Sequence, residues 1–231
     1  MATDVQVLMP FPHPREHEVH IHCLSLSGLA TLYISPDEQF RADQLLNPDK
    51  QRYFIASHGL LRTILGGYLG KQPQDLHFRV GEHGKPSLWG DDAWLHFNLS
   101  HSDHLFLLAI ASDREVGIDV EQLRDDTPFA KMAQMTFSPR EQAGLFSLPH
   151  HLQRSTFYRC WTRKEAYLKA CGTGFSVPSN SFDVSLLQEE PARVITPESQ
   201  TLWYLQEINV PTGFCATLAV PESIAVIRYM T

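Results

Sequence analysis

The chain has 231 residues and a net charge of -7, with 43% hydrophobic and 19% charged residues. That supports one large domain or two small ones with a real core, and no stretch approaches the roughly 20 apolar residues of a membrane span. The acidic balance, with no basic stripe, excludes an ordinary nucleic-acid binder.

An anionic substrate would therefore have to be met by local positive charge or a metal ion. Met1 to Pro14 lacks the basic start and apolar run of a secretion signal, so the expected location is cytoplasmic. Cys23, Cys160, Cys171 and Cys215 form no CxxC pair, and reduced thiols are expected.

In chain order, His20 to Leu26 alternates and reads as a strand. Asn47-Pro48-Asp49 signals a helix start. Phe54, Leu61, Leu65 and Leu69 then recur at helical spacing, which predicts a helix over 48–69 with an end weakened by Gly66-Gly67. Leu76 to Val80 reads as a short strand and Gly81 to Gly90 as loop. Trp94 to Leu99 and Leu105 to Ala111 are apolar enough for buried strands, and Val116 to Glu121 continues that pattern. Ser138-Pro139-Arg140-Glu141 is a capping box. A longer helix is predicted from His151 to Ala170, stopped by Gly172 and Gly174. Strands then fit Phe182 to Leu187, Trp203 to Ile208, Phe214 to Val220 and Ile224 to Tyr229. The expected class is α+β, with one long helix followed by strands in each of two halves, 1–114 and 115–231.

Four short segments carry chemistry. In Gly117-Ile118-Asp119-Val120-Glu121, strand periodicity puts Asp119 and Glu121 on one face. Adjacent carboxylates repel unless a cation or proton intervenes, and magnesium takes one or two carboxylates plus phosphate oxygens. A strand with two solvated acids reads equally simply. In Trp161-Thr162-Arg163-Lys164-Glu165-Ala166-Tyr167-Leu168-Lys169, Glu165 and Lys169 share a helix face. They suit either a stabilising pair or a third metal carboxylate, with a nearby ammonium for phosphate in Lys164.

Phe97-Asn98-Leu99-Ser100-His101-Ser102 reads as an apolar strand ending in small polar groups, of which Ser100 and His101 could donate to a phosphate. Ser100 and His101 point to opposite strand faces, which disfavours a nucleophile–base pair. Neither His96, His101 and His104 nor His13, His17, His20 and His22 matches a familiar zinc spacing. Gly84-Lys85-Pro86 presents one cation from a restricted backbone but is not a P-loop.

Taken in order, these four segments resemble the signature of the Sfp-type 4′-phosphopantetheinyl transferases, and Gly172-Thr173-Gly174-Phe175 fits the stretch that follows. The resemblance covers about residues 40 to 185. It implies two similar α/β-sandwich-like halves related by a pseudo-twofold, with the active site between them. It also implies magnesium-dependent transfer of phosphopantetheine from coenzyme A to a serine of an apo acyl or peptidyl carrier protein. By that resemblance Asp119, Glu121 and Glu165 are the magnesium ligands. Glu165 is the general base, directly or through water, and Lys169 is the group at the leaving phosphate. Lys85 and Pro86 correspond to adenine-side contacts, and Ser100 and His101 to contacts with the nucleotide and its 3′-phosphate. Arg52 and Arg62 correspond to phosphate-binding arginines. His58 stands where the family often has another arginine.

Phe129 to Phe146 falls where the carrier docks in that family, and Met132, Met135 and Phe137 suit either that surface or the core. A monomer is expected by the same analogy. The residues alone also allow a magnesium-dependent phosphohydrolase that uses water, or a carrier- or coenzyme-binding module without turnover.

Overall fold

The computed structural model describes residues 10–29, 32–172, 174–186, 192–195, 201–223 and 225–230. Thr173, Leu187 and Ile224, which the sequence reading included, lie outside the described residues, as do Met1 to Met9.

The two long helices form where the sequence places them. Helix α2 spans Pro48–Leu69 after the short α1, Pro36–Asp43, which the reading missed. Asn47 caps α2, its side chain accepting from the amides of Asp49 and Lys50. The helix runs through Gly66-Gly67, because the chain folds back there: a Cβ on Gly66 would sit 2.6 Å from the Lys71 carbonyl oxygen. Helices α3, Phe129–Thr136, and α4, Pro139–Ser147, precede α5, His150–Cys171. Ser138 closes the expected capping box on α4. Gly172, at φ 65°, ends α5 in the left-handed conformation that favours glycine.

Strands β1 (Glu18–Ser25), β4 (His96–Ser102), β5 (Leu105–Ala111) and β10 (Val226–Met230) make one sheet, ordered β10-β1-β5-β4. Strands β6 (Gly117–Gln122), β7 (Ala192–Ile195), β8 (Leu202–Glu207) and β9 (Phe214–Pro221) make a second, ordered β6-β9-β8-β7. A two-stranded ribbon, β2 (Phe78–Val80) with β3 (Pro86–Leu88), occupies part of the expected loop. No strand forms over 182–186, where the backbone is irregular.

The two sheets share a topology. In each, a strand leads to a 22-residue helix and then to an antiparallel pair whose second strand returns beside the first: β1, α2, β4, β5 and β6, α5, β8, β9. Strand β10 departs from the plain division at residue 114, because it pairs in parallel with β1 in the first sheet.

Four layers result. Leu61, Ile64 and Leu65 of α2 pack on Phe106, Leu108 and Ile110. The opposite face of β5, through Leu107 and Ala109, meets Ile118, Val120, Ala216 and Leu218 of the second sheet. Tyr167 and Ala170 of α5 cover that sheet's outer face with Leu205 and Ala219. The fold is thus α+β, with two helix-backed sheets face to face.

Candidate active site

The edges of the two sheets, β4 and β6, lie side by side, joined by side chains. Asn98 Oδ1 accepts from the Ile118 amide at 2.8 Å, Ser100 Oγ from Val120 at 3.3 Å and Ser102 Oγ from Gln122 at 3.0 Å. Strand β4 does not stop at Leu99 as expected. It continues through Ser102, its even positions facing β6, while Phe97 and Leu99 pack toward α2. His101 is accordingly exposed and Ser100 buried.

Asp119 is 4% exposed. Its Oδ1 accepts from Lys169 Nζ at 2.6 Å and from Ser100 Oγ at 3.1 Å, while its buried Oδ2 has no hydrogen-bond partner. Burial raises the Asp119 carboxyl above its ordinary range, opposed by Lys169. Glu121 accepts from Ser102 Oγ at 2.9 Å and from the Trp161 indole at 3.3 Å. It and Glu165 are also raised, first by burial and then by the charge of Asp119. Three carboxylates whose charges oppose one another, with one orphaned buried oxygen, match the donor chemistry of a hard divalent cation. Among the described residues no three His, Cys, Asp or Glu side chains already form a metal-binding group. A site completed by substrate oxygens does not need one.

Helix α5 reaches this close to β6 because position 117 is glycine. A Cβ there would lie 2.1 Å from the Ala166 carbonyl oxygen and 2.4 Å from the Ala170 nitrogen. Beside the carboxylates is a cavity of about 320 Å³, lined among others by Lys85, Pro86, Asn98, Glu165 and Lys169. Lys85 forms a clamp at its wall. Its ammonium donates to Glu115 at 2.6 Å and to the carbonyls of Val116 and Ala170 at 3.2 and 2.9 Å. Glu115 is held down at about 2, first by its hydrogen bond with His96 and then by Lys85.

Other expected residues lie elsewhere. Arg62 is buried against Glu38, with its Nε at 2.7 Å, and donates to the carbonyls of Pro73 and Leu76. The sequence expectation places it at a coenzyme phosphate. Arg52 is exposed and paired with Asp49 at 3.0 Å. Lys164 presents no ammonium to a phosphate. It is buried in a pair with Glu141 at 2.8 Å and donates to the carbonyls of Ser179 and Phe182. The Ser100 hydroxyl gives its single proton to Asp119 and accepts from Val120 and Lys169, so it has no donor left for a nucleotide. The sequence reading missed Asn98, Ser102, Trp161 and Glu115. The signal for the first two was the polar residue at every second position of β4.

The profile of the 4′-phosphopantetheinyl transferase superfamily matches residues 115–219, which include Asp119, Glu121, Glu165 and Lys169. The 4′-phosphopantetheinyl transferase HetI of a Nostoc strain is 42% identical over 191 residues, covering 81% of this chain and 78% of that protein. The chain belongs to the 4′-phosphopantetheinyl transferase family. Sfp of Bacillus subtilis is 27% identical, with 85% and 88% covered, and AcpT of Salmonella typhimurium is 36% identical, with 71% and 79% covered. The transferase profile begins two residues before the glycine that admits α5, and the loop bearing Lys85 lies outside it. No helix among the described residues is long and apolar enough to cross a membrane.

Proposed function

We infer that the protein transfers the 4′-phosphopantetheine arm of coenzyme A to a serine of an apo acyl or peptidyl carrier protein and releases adenosine 3′,5′-bisphosphate. Family membership supports the reaction class. The observation that carries the site is the meeting of Glu165, Lys169, Lys85 and Pro86 around one cavity, with Asp119 held against Lys169 at its edge.

The cavity takes the nucleotide end, with Lys85 and Pro86 on the adenine side and the exposed His101 toward the 3′-phosphate. Arg52, exposed and paired with Asp49 on α2, is kept as a coenzyme-phosphate contact by family analogy. Asp119, Glu121 and Glu165 would hold a magnesium ion, which supplies positive charge to the pyrophosphate. Lys169 follows the pyrophosphate and stabilises the charge that grows on the departing bisphosphate. Glu165 takes the serine proton directly or through one water, a role that competes with holding the cation, because a bound cation lowers a carboxylate's basicity. The serine oxygen forms a bond to the phosphorus bearing the pantetheine arm, and the bond from that phosphorus to the bridging oxygen breaks.

Met135 on α3 is exposed, whereas Phe137, just past the end of α3, is core. With Phe146 and Leu152, also exposed, Met135 forms the proposed carrier contact. A monomer is the proposed working form, by family analogy.

The test incubates protein, magnesium and coenzyme A with apo carriers of the fatty-acid, polyketide and peptide classes. A gain of one phosphopantetheine on at least one carrier is expected. No gain on any class overturns the reading, and coenzyme A breakdown without a carrier favours the hydrolase.

A further inference from the structure

Strand β6 is the edge of its sheet, and an edge strand carries a row of unpaired amides. Here the row is met by a comb of side chains from the other sheet's edge. Asn98, Ser100 and Ser102 accept from the amides of Ile118, Val120 and Gln122. The register is fixed by a two-residue period on both strands, since a slip of one residue would turn all three side chains away.

The two serines do a second thing that Asn98 does not. Each accepts from one amide and passes its own proton to the carboxylate of the residue just before it. Ser100 receives from Val120 and donates to Asp119; Ser102 receives from Gln122 and donates to Glu121. A hydroxyl has one proton, so neither serine can donate to coenzyme A while these bonds stand. Glu121 has a further holder on α5 in the Trp161 indole. Its two oxygens are thereby fixed from two different elements, Oε2 by Ser102 and Oε1 by Trp161.

We propose that Ser102 is a positioning residue for the transfer reaction, orienting the Glu121 carboxylate from the opposite sheet, and that the comb makes the acidic site depend on correct docking of the two sheets. The proposal rests on the reading of Glu121 as a carboxylate that holds the divalent cation. Partners that orient a ligating carboxylate alter metal affinity without touching metal or substrate.

The experiment compares the full-length protein with Ser102→Ala, Ser102→Thr, Trp161→Phe and Glu121→Gln. Manganese binding in the presence of coenzyme A is read by calorimetry, and the magnesium concentration for half-maximal carrier loading and the thermal midpoint by parallel assays. Ser102→Ala is expected to weaken manganese binding and raise the magnesium requirement about 10-fold. The KM for coenzyme A at saturating magnesium should move less than about two-fold, since Ser102 touches no substrate. Ser102→Thr keeps the hydroxyl and should restore most of the loss. Trp161→Phe should shift the same readouts in the same direction.

Wild-type metal affinity in Ser102→Ala, beside a large loss in Glu121→Gln, overturns the positioning role and leaves the cation reading standing. Unchanged affinity in Glu121→Gln overturns both. Loss of thermal stability and metal affinity in Ser102→Ala that threonine does not recover assigns Ser102 to the fold alone and also overturns the proposal.

Discussion

Lys169 is the residue on which most of the proposed chemistry converges. Its ammonium lies 2.6 Å from Asp119 Oδ1 and 3.0 Å from Ser100 Oγ, at the wall of the cavity. Removing a group that meets charge as it develops lowers turnover more than binding. Lys169→Ala is expected to reduce kcat for carrier loading about 100- to 1,000-fold. Steady-state mass spectrometry of the carrier reads this directly, and a change in KM alone would contradict it. Asp119, Glu121, Glu165 and Lys169 were legible as candidates through the order of the four segments that resemble the transferase signature, since each alone reads as well as a solvated acid or a helix pair. The fates of Arg62 and Lys164 were not. Both are cations on long helices, and nothing local reveals that Glu38 and Glu141 arrive from other elements to bury them.

Helix α5 owes its position to two devices at its flanks. One is the absence of a Cβ at Gly117. Gly117→Ala forces a methyl group into the Ala166 carbonyl and the Ala170 backbone, so α5 must lift from β6. Overpacking of this kind costs about 1–3 kcal/mol. Denaturant unfolding should show that loss, and carrier loading should fall further than stability does, because Glu165 and Lys169 ride on the displaced helix. The second device is the Lys164–Glu141 pair, both members of which are about 2% exposed at the side chain. Glu141 also caps α4 and accepts from the Val184 amide at 2.8 Å. Glu141→Ala strands a buried ammonium and should destabilise the fold by about 3–5 kcal/mol, measured as a shifted urea midpoint with activity per folded molecule retained. Caps and stops made α2, α4 and α5 readable in advance, since those signals sit within a few residues of the helix ends. Strand β4 was misjudged because its polar face is buried against another sheet. Alternating Asn and Ser look like solvent-facing positions until β6 is known to lie opposite.

Across the whole molecule the first sheet carries a buried polar cluster behind α2. The Tyr68 hydroxyl lies 2.8 Å from His20 Nδ1 and 3.0 Å from His22 Nε2. Burial, then the charge of His20, lowers His22 to about 4 from an ordinary 6.5. Between those values the unfolded chain binds a proton that the folded chain refuses, so stability falls as the pH drops through this window and levels off below it. The full effect is about 3 kcal/mol. Urea unfolding at pH 7, 5.5 and 4 should reveal it, and His22→Phe should flatten the dependence; an unchanged slope would place the effect elsewhere. Beside this cluster β10 pairs in parallel with β1, Glu18 opposite Val226. A ribosome making this chain completes both long helices and every other described strand before it supplies β10. The nascent protein therefore waits with one flank of its first sheet open to chaperones or to a neighbouring nascent chain until β10 arrives to cover it.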